Sequence, residues 1–214
     1  VSLINMKRGK FRSVIYIKYN DIKLKFIIKK NLENYIYNIL STLAVISIYF
    51  DLAKLDKFFF NDYQFPEGRG DLKIIKLKEK KINLIDESYN SNPLSLQFAL
   101  NKLNCINSKS KRKLILLGDM LELGKYSKKL HIEAARNINA TKIDKVYVYG
   151  KHIIETFNKI KPQKRGKILN SKKDILNFMI NDIKNGEYLM IKGSNSTGLN
   201  KISQSLKLGK INVF

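Results

Sequence analysis

The chain has 214 residues, of which 44% are hydrophobic and 28% charged, so it can form one large domain or two small ones with hydrophobic cores, and intrinsic disorder is excluded. Its longest apolar run, residues 40–50, is shorter than the ~20 residues of a membrane span, so we expect no membrane insertion. The single cysteine, Cys105, excludes an intramolecular disulfide and a multi-cysteine zinc site, which is typical of a cytoplasmic protein.

The charge balance is strongly basic. The 41 Lys and Arg residues against 18 Asp and Glu give a formal net charge of +23, which predicts attraction to phosphate polymers or anionic substrates. However, few of the basic residues are arginine, which phosphate-clamping and base-reading surfaces favour, and the lysines are spread over the whole chain. We therefore favour a solvated basic surface over nucleic-acid binding. Electrostatic attraction of a phosphorylated small substrate is compatible with either.

The first part of the chain is predicted to form a hairpin followed by helices. Residues 13–19 and 23–28 are rich in β-branched and aromatic side chains, and the turn residues Asn20-Asp21 separate them, which predicts a β-hairpin. Apolar residues at helical spacing predict a helix over residues 34–50 and a second, shorter helix over residues 52–60.

A loop and a domain boundary are predicted at residues 66–70, which contain one proline and two glycines. Beyond this loop, short apolar strands are predicted at residues 82–85, 114–117, 146–149, 167–169 and 188–191. Helices are predicted at residues 94–103, 128–139, 153–159, 172–183 and 199–206. This alternation predicts right-handed crossovers and an α/β fold with a doubly wound, mostly parallel sheet, which binds ligands at the carboxyl ends of its strands.

A run of polar residues follows the first of these strands. A helix N-terminus explains part of it, with Asn92 as the cap and Pro93 at the first helical position. This interpretation leaves Asp86, Glu87 and Asn90 unexplained. Carboxylates at a strand end can accept hydrogen bonds from a ribose or can hold a cation.

Two further loops follow predicted strands. Residues 118–124 are bracketed by glycines and are either an ordinary strand-to-helix loop or a substrate loop. His131, just beyond, is more typical of a structural histidine than of a catalytic one. Residues 192–198 resemble an anion cradle at a helix N-terminus, but Leu199 stands where a P-loop requires lysine, so a P-loop is excluded here. No histidine-rich metal cluster occurs in the sequence.

In combination these motifs resemble those of the Mur ligases, over most of the chain. The motifs, in the family's order, are Gly68-Arg69-Gly70, Asp86-Glu87-Ser88-Tyr89-Asn90-Ser91-Asn92-Pro93, Leu117-Gly118-Asp119-Met120-Leu121-Glu122-Leu123-Gly124 and Ile191-Lys192-Gly193-Ser194. The resemblance implies a three-domain enzyme. Residues 1–66 would be the C-terminal portion of its central ATP-binding domain, residues 67–72 an inter-domain loop, and residues 73–214 its Rossmann-like C-terminal ligase domain.

The resemblance also implies a reaction, that of the family members that act on UDP-N-acetylmuramoyl-tripeptide and D-alanyl-D-alanine in peptidoglycan precursor synthesis. ATP phosphorylates the tripeptide's terminal carboxylate, and the amine of the dipeptide attacks the acyl phosphate. The implied cofactors are ATP and Mg²⁺. The P-loop, the Mg²⁺ ligands and the UDP-sugar domain are absent from this sequence, which also lacks an initiator methionine, so we expect an inactive fragment of a longer enzyme. The alternative hypothesis is a non-enzymatic, basic Rossmann-like module that binds nucleotide or nucleic acid.

Individual roles follow from the same resemblance. Asn38 matches an adenine-contacting asparagine, Arg69 matches the catalytic arginine that reaches the ATP phosphates, and either Asp86 or Glu87 is implied to bind the ribose hydroxyls. The wall that receives the dipeptide is implied to consist of Tyr89, Asn90, Asn92, Lys192 and Ser194. Lys192 would be the partner of the dipeptide carboxylate.

Overall fold

The computed structural model describes residues 1–64 and 66–210, except for the side chain of Asn34. The chain divides into two compact units, Val1–Gln64 and Phe65–Phe214, which are described separately. The assignment of the first unit to an ATP-binding domain stays a prediction. Among the described residues, no helix combines the length and the apolar character that crossing a bilayer requires.

The first unit contains a three-stranded antiparallel sheet in the order β1-β2-β3, with β1 at Ser2–Arg8, β2 at Arg12–Tyr19 and β3 at Ile22–Lys29. The predicted hairpin is confirmed, because β2 and β3 pair through a two-residue turn in which Asn20 adopts a left-handed backbone with φ of 51°. The sequence did not predict β1. Its residues are mostly exposed on both faces, so no alternation of apolar and polar residues marks it.

The helical part of the first unit is shorter than predicted. Helix α1 runs over Ile36–Ile46 after a 3₁₀ segment at Lys30–Tyr35, and only a 3₁₀ turn at Leu52–Lys54 stands where the second helix was predicted. That second prediction is wrong because aspartates compete for the backbone. Asp51 accepts a hydrogen bond from the N–H of Ala53, and Asp56 accepts one from the N–H of Phe58, which favours turns over a helix.

The second unit is built on a six-stranded sheet in the order β4-β5-β9-β6-β7-β8. The strands are β4 (Asp71–Leu77), β5 (Lys80–Glu87), β6 (Lys113–Gly118), β7 (Lys145–Tyr149), β8 (Arg165–Ile168) and β9 (Tyr188–Lys192). The helices are α2 (Pro93–Cys105), α3 (Ser127–Asn139), α4 (Ile153–Lys159), α5 (Lys172–Asn181) and α6 (Leu199–Lys207). All pairings are parallel except β4 with β5.

Helices cover both faces of this sheet. Helices α5 and α6 bury Phe178 and Ile202 in the core on one face. Helices α2, α3 and α4 bury Leu100, Ile138 and Ile153, respectively, in the core on the other. Every residue of β6 is buried, and its four consecutive apolar residues, 114–117, are typical of a strand covered on both sides. The predicted doubly wound, mostly parallel α/β fold is confirmed.

The predicted strands and helices of this unit are all present, with ends that differ by a few residues. Strand β4 is the element that the sequence did not predict. It lies at the edge of the sheet with Leu72 and Ile74 exposed on one face and Ile75 and Leu77 buried on the other. Apolar residues on both faces remove the alternation by which a half-buried strand is recognised.

Candidate functional site

The predicted polar loops lie side by side at one edge of the sheet. Strand β9 is paired with β5 on one side and β6 on the other, and Lys192 is the register partner of both Glu87 and Leu117. The last residues of these three strands and the loops after them, residues 86–93, 118–124 and 192–198, therefore lie at the same level of the sheet. We call them the carboxyl-end rim. This confirms that a parallel sheet brings the separate motifs together.

Ser194 joins all three loops of the rim. Its N–H donates to the carbonyl of Asp119 at 3.0 Å, and its Oγ accepts from the N–H of Leu121 at 2.9 Å. The same hydroxyl donates to the carbonyl of Ser91 at 3.3 Å. The side chain is buried and engaged within the protein. Its predicted contact with substrate stays a prediction, whereas its bonds fix the loops.

Two glycines allow these loops to approach closely. A Cβ atom on Gly118 would lie 3.3 Å from the Cα of Gly193 and 2.8 Å from Cδ1 of Leu199. A larger residue at position 118 would push the second and third loops apart. This close packing explains the first glycine of the motif at 118–124 without a ligand.

The rest of that motif also has a structural explanation. The Asp119 carboxylate accepts hydrogen bonds from the N–H of Ile153 at 2.7 Å and of Lys151 at 3.1 Å, so it caps the start of α4. The next residue, Met120, donates its N–H to Nε2 of His131 at 3.1 Å. Of the two interpretations, the geometry supports a structural strand-to-helix loop.

His131 is fully buried and both of its ring nitrogens are engaged. Nδ1 lies 2.8 Å from the carbonyl of Ser127, which assigns its proton to that bond, and Nε2 accepts from Met120. Burial lowers the pKa of His131, against the opposing effects of the Ser127 bond and the charge of Asp119. The histidine is therefore held neutral and fastens the loop, as the structural interpretation predicts.

Asp86 and Glu87 point to opposite faces of β5 and differ in their surroundings. Asp86 is buried, accepts hydrogen bonds from the N–H and hydroxyl of Ser88, and lies 2.5 Å from Nζ of Lys207. Burial alone would raise the pKa of Asp86, but the Lys207 ammonium and the hydrogen bonds from Ser88 hold it below its usual value. Asp86 is thus an ionised carboxylate whose two oxygens are both used within the protein.

Glu87 is mostly buried and lies near two lysines. Its Oε1 is 3.9 Å from Nζ of Lys102, a long ion pair, and burial raises its pKa against the lowering effect of Lys192 and Lys102. Lys192 is 1% exposed and donates from Nζ to the carbonyl of Asn90 at 2.9 Å. Burial lowers the pKa of Lys192, and the charge of Glu87 opposes that shift. The Lys192 ammonium therefore holds the backbone of the rim at Asn90 in place.

Arg69 is exposed and stacks on the ring of Tyr89, with its guanidinium carbon 4.2 Å from the ring centroid. A hydrogen bond from the N–H of Tyr89 to the carbonyl of Gly68 at 3.1 Å joins the loop at residues 66–70, which we call the Arg69 loop, to the first loop of the rim. Gly68 has φ of +76°, and a Cβ there would lie 3.0 Å from the nitrogen of Tyr89. The structure thus places the predicted catalytic arginine beside the carboxyl-end rim.

A cavity of about 300 Å³ opens between the Arg69 loop, the end of β5 and the start of α6. Its lining residues are Pro66, Glu67, Gly68, Asp86, Ser88, Tyr89, Asn195, Asn200 and Gln204. Asn200 and Gln204 lie outside the motifs predicted from the sequence, and Asn195 was predicted only as part of the loop at residues 192–198. Polar side chains after the last strand and on the first turns of α6 are a signal that could have identified them.

The two predicted asparagines of the wall differ in role. Asn92 is the N-cap of α2, where its Oδ1 accepts from the N–H of Ser95 at 2.8 Å and Ser95 Oγ accepts in return at 3.0 Å. The capping interpretation of Asn92 and Pro93 is confirmed. Asn90 is exposed at the rim, and its Oδ1 accepts from the N–H of Ser91 at 2.7 Å.

The remaining predicted position, Asn38, lies in the first unit, exposed on α1. Its contact with adenine stays a prediction. Within the described part of the chain, no group of three or more His, Cys, Asp or Glu side chains is arranged to hold a metal ion.

Two curated relatives that carry the same name match most of this chain. UDP-N-acetylmuramoyl-tripeptide--D-alanyl-D-alanine ligase of Bacillus subtilis is 28% identical over 181 residues, 79% of this chain and 38% of the relative. The ligase of the same name from Rickettsia prowazekii is 28% identical over 185 residues, 86% of this chain and 39% of the relative. The chain therefore spans less than half the length of these curated relatives.

Solved structures share the fold. MurF ligase from Thermotoga maritima, in complex with ADP, superposes with a TM-score of 0.68 at 20% identity, over 98% of this chain and 46% of that one. MurF from Acinetobacter baumannii superposes with a TM-score of 0.73 at 18% identity, over 98% of this chain and 44% of that one. A family model described as Mur ligase, glutamate ligase domain matches residues 72–195. Since this match covers more than half of the chain, including the whole rim up to Asn195, the chain belongs to the Mur ligase family.

Proposed function

We propose that this chain is the carboxyl-terminal part of an ATP-dependent ligase that joins D-alanyl-D-alanine to UDP-N-acetylmuramoyl-tripeptide. The observation that carries the proposal is the carboxyl-end rim, where three loops are hydrogen-bonded to one another beside Arg69. Relatives that carry the name of this ligase match along 79% and 86% of the chain. The proposed activity is that of the longer protein to which the chain would belong.

The chemistry requires an arginine held in place. A free carboxylate resists attack by an amine, and ATP would supply the phosphoryl group that turns it into an acyl phosphate. We assign Arg69 to the negative charge that develops on the transferred group. Stacking on Tyr89 at 4.2 Å limits the motion of the guanidinium, so its donors are oriented before the substrate arrives. Mg²⁺ is expected to be bound by residues outside this chain.

Of the two acidic residues, Glu87 is the better candidate for the ribose hydroxyls. Both oxygens of Asp86 are engaged within the protein, Oδ1 by a hydrogen bond from Ser88 and Oδ2 by the ion pair with Lys207. Glu87 has a long contact of 3.9 Å to Lys102, so its carboxylate has acceptor capacity left. We propose that Asp86 shapes the site and that Glu87 meets the nucleotide.

The wall proposed for the dipeptide has an exposed and a buried layer. Tyr89, Asn90 and Asn92 are exposed and can contact a ligand, whereas Lys192 and Ser194 lie beneath them. We propose that the buried pair holds the wall in shape. Lys192 has one of its three donors on the Asn90 carbonyl and contributes positive charge near the dipeptide carboxylate.

The test is a turnover assay of the complete reading frame that contains this chain. Purified protein with ATP, Mg²⁺, UDP-N-acetylmuramoyl-tripeptide and D-alanyl-D-alanine is expected to release phosphate and to form a product heavier by the dipeptide, measured by mass spectrometry. Omission of D-alanyl-D-alanine is the control. Product formation with a single amino acid such as D-glutamate, and none with the dipeptide, would contradict the proposed substrate.

A further inference from the structure

A buried lysine on the last helix supports the carboxyl-end rim from behind. The side chain of Lys207 is 5% exposed, and its Nζ lies 2.7 Å from Oδ2 of Asp71 and 2.5 Å from Oδ2 of Asp86. Its position is fixed because α6 buries Ile202 and Leu206 against the sheet. Lys207 lies outside every motif selected from the sequence.

Both carboxylates that pair with Lys207 belong to residues that hold the Arg69 loop. Oδ1 of Asp71 accepts a hydrogen bond from the N–H of Gly68 at 3.2 Å. The N–H of Gly70 donates to the backbone carbonyl of Asp86 at 2.6 Å. The peptide groups on either side of Arg69 are therefore fastened to the two partners of one lysine.

The lysine is needed because the two carboxylates face each other. Asp71 and Asp86 are register partners in the antiparallel pair of β4 and β5, and like charges directly opposite in a sheet repel. Burial would lower the pKa of Lys207, but the two carboxylates outweigh it and keep the pKa above its usual value. A permanent positive charge at this point allows both aspartates to stay ionised and in place.

We propose that Lys207 is a positioning residue for Arg69, which it holds in orientation through Asp71 and Asp86 without contacting substrate. This inference rests on the proposed function for its kinetic consequence and on the geometry alone for its structural consequence. The Arg69 loop and α6 are far apart in the sequence, and the ion pairs with Asp71 and Asp86 are what connect them.

The structural test is hydrogen exchange of the complete protein. Lys207→Met removes the charge and keeps an unbranched side chain that is one atom shorter, and we expect the amides of residues 68–71 to exchange about tenfold faster or more. Lys201→Met, an exposed lysine on the same helix, is the matched control and leaves that exchange unchanged. Unchanged protection of the buried strand β6 shows that the variant is folded. Equal protection of residues 68–71 in both variants would overturn the proposal.

The kinetic test is a double-mutant cycle in the turnover assay. We expect Lys207→Met to lower kcat about tenfold to hundredfold with little change in the KM for D-alanyl-D-alanine, because misplacement of Arg69 affects the transition state. In an Arg69→Ala background the same change is expected to have almost no further effect. Multiplicative losses would mean that Lys207 does not act through Arg69.

A second variant covers the case in which Lys207→Met does not fold. Asp71→Asn keeps the pair of Lys207 with Asp86 but leaves one uncharged acceptor oxygen at position 71 where the aspartate served both Gly68 and Lys207. It therefore weakens the connection between Lys207 and Gly68 at a partly exposed position, and should give the same changes at smaller size. If the parent protein shows no turnover with these substrates, the proposed function fails. Hydrogen exchange then still decides whether Lys207 holds the loop.

Discussion

The two ends of the parallel strands use polar residues for different purposes. At the carboxyl ends, the rim joins three loops and leaves Arg69, Tyr89 and Asn90 exposed to solvent. At the amino ends, where the helices terminate, basic side chains turn inward and donate to helix carbonyls. We call this second region the amino-end edge.

The amino-end edge satisfies the last carbonyls of several helices. Lys113 donates to the Asn104 carbonyl at the end of α2 at 2.9 Å, and Arg165 donates to the Asn158 carbonyl at the end of α4 at 2.8 Å. The other capping donors are Lys164 to the Ile138 carbonyl of α3, Lys80 to the Ile180 carbonyl of α5, and Arg112 to the Asp182 carbonyl just after α5. Such bonds and the helix dipoles make positive charge favourable there.

This difference changes the interpretation of the net charge. Part of the +23 is used to stabilise helix ends and is not displayed for a partner. The comparison predicts that substitutions at the two ends of the strands have different effects on activity and stability. Changes at the exposed residues Arg69, Tyr89 and Asn90 should reduce activity at constant stability, and changes at the amino-end edge should reduce stability at constant activity per folded molecule.

The largest expected effect is that of Arg69→Ala in the complete enzyme. Loss of one oriented donor to transition-state charge typically costs about a hundredfold to a thousandfold in kcat, and we expect a loss in that range with unchanged hydrogen exchange of β6. Arg136→Ala, an exposed arginine on α3, is the matched control. Turnover within a factor of two of the parent in Arg69→Ala would show that the role assigned to Arg69 is wrong.

The second effect is that of Arg112→Met at the amino-end edge. Arg112 lies 2.5 Å from the buried carboxylate of Glu187, and its pKa is raised chiefly by the hydrogen bond to that carboxylate. Removal leaves a buried acceptor less satisfied, so we expect the free energy of unfolding of the second unit to fall by about 2 kcal/mol. Exchange of the β6 amides measures it. A loss of turnover per folded molecule would break the distinction between the two ends.

A smaller effect separates the two asparagines of the rim. Asn92→Ala removes the N-cap of α2 and is expected to lower the free energy of unfolding by about 1 kcal/mol. Asn90→Ala is expected to leave stability unchanged and to raise the KM for D-alanyl-D-alanine. Thermal unfolding and steady-state kinetics of both variants test this. Equal stability losses would indicate that Asn90 is as structural as Asn92.

The smallest effect is a pH dependence due to His131. Its folded pKa lies below the ordinary value of 6.5, so the unfolded chain binds more protons and stability is lost as the pH falls below about 6.5. His131→Asn should reduce this slope by a fraction of the ~1.4 kcal/mol per pH unit of one full proton. His152→Asn is the control at an exposed histidine. Unfolding at pH 7.5 and 5.5 gives the comparison, and equal slopes in parent and His131→Asn would contradict it.

Predictions from sequence succeeded where a pattern is local and strong. Most strands of the parallel sheet contain short apolar segments and the helices that cover them are amphipathic, so both were located to within a few residues. The capping of α2 by Asn92 was also local, since it depends on residues three apart. The edge strands β1 and β4 were not predicted. Strand β1 is exposed on both faces and β4 has apolar residues on both faces, so neither shows an alternation of apolar and polar residues. The helix predicted over residues 52–60 failed because Asp51 and Asp56 bond to nearby backbone groups.

Some motif residues hold the loops together and others are exposed, and the sequence could not indicate which residue belongs to which group. Asp119, His131 and Ser194 stand in or near conspicuous motifs and fasten the loops, whereas Arg69 and Asn90 are exposed. Spacing along the chain does not state which oxygen of a carboxylate is already bonded. That information exists only once the partners from other loops are in place.

The sequence by itself determined the alternation of strands and helices, the α/β class and the positions of the polar loops, because apolar periodicity and turn residues act over a few neighbours. Tertiary structure alone decided that Lys207 meets Asp71 and Asp86, that both oxygens of Asp86 are engaged while Glu87 has only a long ion pair, and that basic side chains cap the helix ends. The reason is that these contacts join residues far apart in the chain, and strand order brings them together.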